Sequence, residues 1–404
     1  MTHVGSRTRA RLAAAALGAG CAMGLAGCGG AATQRGRGAS PAAGARPAPA
    51  RPTVTVARTI VTPDGATDVP SLVEAARALA ERGDAAGAAT AFDRAHRLDP
   101  RGPLAPEALH GAATAHEQAG DREASLARFE RLAQRHPEHA LGREAHLRAL
   151  RLLCYLERWQ RAGEVADAAL ERYRDLRPFE SVVVLGAKAL ALIATGDDLA
   201  AERFVEKGRN VIEAHGYDAA GRIPHDLALV YFALGEIRRV RAERIVFDPR
   251  PPDFPAALEA RAQLLLDAQS AYSDTMRAYE AHWSTMAGYR VGELYKKLHE
   301  DLMRVPVPAT ADTDARRQLF EGALRLRYSI LLTKALGMID HTLAMAKRTG
   351  ERTTWIERCE QARREIQAGI DAEERALDAL PYTRAELREA LEEVGRRAAA
   401  RSAR

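Results

Sequence analysis

His136, His139 and His146 fall within eleven residues, and imidazole is a common ligand for zinc and other transition metals. Chelation requires their nitrogens to converge about 2 Å from one ion. Pro137 stands between the first two and ends the helix that carries His136, so His139 opens the next element and no single helix face presents all three. His110 and His116 are six residues apart, which puts them on different sides of a helix as ordinary surface or groove residues. No metal and no other cofactor is expected.

A second candidate is Glu180-Ser181. The dipeptide resembles the opening of the catalytic motif of lytic transglycosylases, helical enzymes of the periplasm that use a glutamate as general acid on a glycan. That resemblance implies a peptidoglycan-processing enzyme, or a regulator of one. No Gly-Leu-Met-Gln-like element follows, however, and Val182-Val183-Val184-Leu185 continues as a helix, so Glu180 reads as an exposed residue near a helix start. The chain also holds no Gly-rich phosphate loop, no Gly-x-Ser-x-Gly and no nucleophile paired with a base. A non-catalytic protein is expected.

The elements that would position these residues repeat. Gly83-Asp84 is followed by Phe92 and Asp99-Pro100, and Gly120-Asp121, Phe129 and Pro137 reproduce those marks 37 residues later. A further step of 37 reaches Glu157-Arg158-Trp159, where an aromatic follows the turn and the glycine is missing; steps of 39 reach Gly196-Asp197 and Gly235-Glu236. Each unit reads as helix, tight turn, helix and break, for example 71–82, Gly83-Asp84, then 85–98. Glycine suits the left-handed end of the first helix and aspartate caps the second. Ala75, Ala76, Ala88, Ala112 and Ala113 let paired helices approach, while Phe92 and Phe129 fill the space between hairpins. One hairpin cannot bury its apolar face alone, so the units must stack into a solenoid.

Small residues in the first helix, a Gly-Asp turn, Ala then Phe in the second and a closing Pro resemble the tetratricopeptide repeat. The resemblance is good over 69–137, fair over 140–215 and weaker over 221–248. It implies an all-α fold, with an α-solenoid of about five hairpins across 70–248. The family's groove-lining positions then fall on Glu107, His110, Thr114 and Glu117 in the second unit, and on Glu144, Leu147, Arg151 and Cys154 in the third. Such residues would suit an extended or helical peptide.

After Pro249-Arg250-Pro251-Pro252, helical stretches over 256–281, 283–303, 315–348 and 353–380 are too long for simple repeats and define a C-terminal long-helix region, 249–404. Pro306 and Pro308 force an extended connector. The strings Ala233-Leu234-Gly235-Glu236-Ile237 and Tyr289-Arg290-Val291-Gly292-Glu293-Leu294-Tyr295, with Pro306-Val307-Pro308, resemble large repeat-containing lipoproteins of myxobacteria, some of which belong to envelope-assembly or gliding-motility complexes. The charged end, 384–404, reads as a frayed solvated terminus.

The amino terminus supplies an address. Arg7, Arg9 and Arg11 precede an apolar run, 12–24, that is too short to span a bilayer. Leu25-Ala26-Gly27-Cys28 resembles the lipobox of bacterial lipoproteins, which implies removal of 1–27 and acylation of Cys28. Gly29 is not the aspartate that retains enterobacterial lipoproteins in the inner membrane, so the outer membrane, facing the periplasm, is expected. Residues 29–69 are rich in Gly, Ala, Pro and Arg and form a tether with a span on the order of 35 Å. The signal and the tether each carry a net +3 against +5 for the whole chain, which leaves the folded part near neutral and argues against a nucleic-acid partner. Of four cysteines only Cys154 and Cys359 remain for the folded part, as separately buried thiols. The expected partners are proteins of a cell-envelope complex, with the membrane reached through the lipid.

Overall fold

Gly83, Gly120 and Gly196 adopt left-handed backbone, with φ of +81°, +85° and +88°, and each ends one helix and admits the next. The aspartate that follows each glycine caps the second helix: Asp84, Asp121 and Asp197 accept hydrogen bonds from the backbone N–H of Gly87, Ala124 and Ala200 at 2.9, 3.0 and 2.9 Å. At the third turn Glu157 takes the left-handed conformation itself, φ +57°.

The computed structural model describes residues 68–218, 227–247, 253–309 and 311–392. The lipobox, Cys28, residues 29–67 of the tether and the last twelve residues lie outside that set. The described helices are α1 Val69–Glu81, α2 Ala85–Leu98, α3 Ala105–Gln118, α4 Arg122–Arg135, α5 Ala140–Tyr155, α6 Trp159–Arg172, α7 Pro178–Ala194, α8 Asp198–Ala214, α9 Ala228–Glu243, α10 Asp253–Met276, α11 Ala281–Met303, α12 Asp314–Thr349 and α13 Thr354–Asp378. No strand occurs among the described residues, and no described helix is long and apolar enough to cross a membrane.

Consecutive helices pack as antiparallel hairpins, and the hairpins stack. Odd-numbered helices also touch the next odd helix along the stack, from α1 through α13. That second set of contacts puts the odd helices on the inside of the curve. The result is an all-α solenoid of tetratricopeptide-like hairpins that ends in longer helices.

Small residues make the stacking possible. Ala76, Ala88, Ala112 and Ala113 are fully buried, and Phe92 and Phe129 fill the joints between hairpins. A Cβ added to Gly111 would come within 2.6 Å of the Phe92 ring, so that aromatic needs a bare backbone opposite it. Two apolar clusters form: a small one under α1, α2 and α3, and a continuous one from α3 to α13.

Three features differ from the sequence reading. Gly235-Glu236 is not a turn, because it lies inside α9, where a Cβ on Gly235 would stand 2.6 Å from the Tyr272 ring. The glycine is kept for close packing of α9 on α10, and these two helices are the arms of the fifth hairpin. The Pro-rich break therefore separates two arms of one hairpin, and the long helices continue the pairing with longer arms. At the carboxyl end, a helix over 384–392 folds back onto α12, with Leu387 fully buried against Gly322, so this part is not frayed.

Candidate docking face

The inner face of the first three hairpins is built from residues at intervals of three and four along α3 and α5. Glu107, His110, Thr114 and Glu117 follow one side of α3. Ion pairs join that side to its neighbours: Arg77 of α1 donates to Glu107 (Nε, 2.8 Å), and Arg148 of α5 donates to Glu117 at 3.0 Å. Arg148 also approaches Glu144 one turn before it, at 3.6 Å. Glu107 and Glu117 on α3 are thus each matched by a guanidinium on a neighbouring odd helix, Arg77 on α1 and Arg148 on α5.

Between those pairs, two polar atoms have no hydrogen-bond partner. The Nε2 atom of His110 lies 3.3 Å from the Glu144 carboxylate, out of line for a hydrogen bond, while its ring stands edge-on to Phe129 at 5.8 Å. One turn on, the Thr114 hydroxyl is buried and also unpartnered. An unmet buried polar atom costs on the order of 1–3 kcal/mol. In the third hairpin Leu147 and Cys154 are buried, at 5% and 0% exposure, and Arg151 is half-buried. Leu147 and Cys154 therefore give a partner little surface. Burial raises both free thiols, Cys359 to about 12, so neither is a reactive nucleophile.

The other sequence candidates are engaged elsewhere. His139 caps α5, its Nδ1 accepting from the Leu141 N–H at 3.1 Å, and His146 Nε2 lies 3.0 Å from the Val165 carbonyl. Both line an open cleft of about 760 Å³ with Arg143, Arg172 and Tyr173. The described residues contain no group of three His, Cys, Asp or Glu arranged to hold a metal. His116 pairs with Asp93 of α2 at 3.2 Å.

Glu180 lies near a helix start as expected, but it is buried rather than exposed. Its carboxylate accepts from the Arg177 backbone N–H at 2.9 Å and from the Arg143 guanidinium at 2.6 Å. Burial would raise its pKa; hydrogen bonds from Arg177 and Arg143 overcome that and hold it at about 2. A general acid must keep its proton near neutrality, and this carboxyl does not.

Sequence reasoning missed two polar clusters. Glu236 is buried in α9, where the Tyr272 hydroxyl (2.5 Å) and Arg239 (2.9 Å) donate to it and Arg290 lies 2.9 Å away. Burial would raise this carboxyl as well, and Arg290 and Arg239 hold it below its usual range. Glu236 and Arg290 belong to the two short strings singled out above; their pairing was invisible because the partners lie on different helices. The second cluster joins Arg122, Tyr155, Glu280, His282 and Glu351, and bridges sequence gaps as long as 196 residues.

No protein-family model matches the chain, and no curated protein matches its sequence. Among solved structures it is similar to a tetratricopeptide repeat protein from Parabacteroides merdae, at 12% identity and a TM-score of 0.38, over 74% of this chain and 98% of that one. It is also similar to the TPR domain of P58(IPK), at 16% identity and a TM-score of 0.26, over 83% of this chain and 99% of that one. A monomeric mutant of IFIT1 with Gppp-AAAA matches at 13% identity and a TM-score of 0.34, over 72% of this chain and 58% of that one. Overlays this loose carry no weight for the fold, which rests on the helix order and hairpin pairing.

Proposed function

We propose that the chain is a non-catalytic scaffold, anchored to the outer membrane through a lipid on Cys28, that docks protein partners of a cell-envelope complex on the odd-helix face of its first three hairpins. The observation that carries this reading is the pair His110 and Thr114, part-exposed polar residues one helical turn apart on the inner side of α3. They lie among carboxylates already neutralised by neighbouring guanidinium groups. Such a surface favours a peptide that brings backbone donors and acceptors rather than net charge. The anchor rests on Leu25-Ala26-Gly27-Cys28 and the arginines before it. The peptidoglycan-processing alternative finds no support at Glu180, whose carboxyl is ionised and bound by two arginines.

Two experiments test the reading separately. Growth of cells with labelled palmitate should label the wild-type chain and leave Cys28→Ser unlabelled; equal labelling would remove the anchor. Affinity purification with mass spectrometry should recover partners that are lost when Glu117 and Arg151 are both replaced by alanine. Unchanged recovery would remove the docking face.

A further inference from the structure

In a solenoid each hairpin touches only its neighbours, so the stack behaves as a spring whose pitch is set locally. A contact between distant hairpins changes that. The end of the third hairpin's first arm meets the sixth hairpin and α13 through one polar cluster. The Tyr155 ring at the end of α5 stacks on His282 of α11, with centroids 3.5 Å apart and planes 19° apart, and the Arg122 guanidinium of α4 lies 4.1 Å from the same ring. The Tyr155 hydroxyl donates to Glu351, in the turn between α12 and α13, at 3.2 Å. Beside it Glu157, the turn residue of the third hairpin, pairs with Arg358 of α13 at 3.1 Å.

Neighbouring hairpins are joined over a continuous layer of Ala, Leu, Val and Phe, with ion pairs such as Glu236 and Arg290 beside it, whereas this contact is mainly polar. His282 is 1% exposed, and neither of its ring nitrogens has a hydrogen-bond partner. Burial, and then the neighbouring Glu351, push the Glu280 carboxyl up, with Arg122 as the opposing cation. Buried groups so incompletely matched offset much of what the ring stacking contributes. The cluster therefore holds the superhelix closed with a small net gain, while the apolar joints hold each hairpin to the next.

We propose that Tyr155, His282, Arg122 and Glu351, with the Glu157 and Arg358 pair, form a latch that fixes the superhelix in its closed pitch and releases α11, α12 and α13 from the third hairpin without unstacking the neighbours. Release lengthens the inner path from α5 to α11. This device stands whether or not the inner face binds a peptide.

Distance distributions between spin labels on the purified full chain test it. Labels go on Arg82→Cys and Arg364→Cys, at exposed positions near opposite ends of the stack, and the buried Cys154 and Cys359 stay unlabelled. Tyr155→Ala and Arg358→Gln should each raise the ratio of long to short distances, Tyr155→Ala about tenfold, as expected for loss of a desolvated aromatic pair. The helical circular dichroism should stay unchanged. Glu351→Gln, which keeps an acceptor for the Tyr155 hydroxyl and removes the like charge beside Glu280, should lower the ratio. Distributions unmoved in all three variants would overturn the latch. So would loss of helix in step with every distance change, because the cluster would then be an integral joint.

Discussion

His282 lies flat against Tyr155, ring on ring at 3.5 Å, although 127 positions of sequence separate them. Burial drives the His282 pKa down to about 3, from an ordinary value of 6.5. Burial also lowers His96, His136, His146 and His299. When a folded-state pKa is depressed in a histidine, the unfolded chain binds more protons, so stability is intact above about 6.5 and falls as pH drops below it. For His282 alone the loss between pH 7 and pH 5 is on the order of 2 kcal/mol. Denaturant midpoints should hold from pH 8 to about 6.5 and fall from there to pH 5, and His282→Gln should flatten that fall. An equal slope in that variant would contradict the assignment.

The turns give a backbone prediction. A Cβ on Gly120 meets nothing within 4 Å, so Gly120→Ala would strain only the left-handed φ of +85°, a cost of about 1 kcal/mol. At Glu157 the same conformation is held by a residue with a Cβ, and Glu157→Gly should recover about 1 kcal/mol. Loss of the partly exposed pair with Arg358 offsets part of that gain. Chemical denaturation of the two variants should give opposite signs, and a shared sign would contradict the turn geometry.

Helical glycines separate packing from propensity. Gly235→Ala would drive a methyl into the Tyr272 ring and should destabilise by about 1–3 kcal/mol. Gly337→Ala lies in α12 with open space around it and should stabilise by about 0.5–1 kcal/mol. If Gly235→Ala raises the melting temperature as Gly337→Ala does, the close approach of α9 and α10 at Gly235 is wrong.

Much of this fold was legible because its rules are local. A Gly-Asp pair ends one helix and caps the next wherever it stands free of packing, and at Gly83, Gly120 and Gly196 it does so. Gly235 carries the same spacing for another reason: its missing side chain admits Tyr272, which is 37 positions downstream and outside any local rule. The candidate docking residues on α3 were placed by repeat register, yet the pairing of Glu107 and Glu117 with Arg77 and Arg148 needed the neighbouring odd helices in space. The burial of Cys154 matches the expected buried thiol, while that of Leu147 was hidden, because the odd helices close together more tightly towards the middle of the stack. The cluster around Tyr155 gave no sequence signal, since single Tyr, His and Glu residues have no periodicity.

Docking on the inner face carries the account, and its position can be read directly by photocrosslinking in living cells. A photoreactive amino acid would replace Thr114 on the inner face of α3 or Glu164 on the exposed side of α6. Crosslinks to a partner protein from position 114 and not from position 164 are predicted. Crosslinks from 164 with none from 114 would place the partner on the outer helices and contradict the docking face.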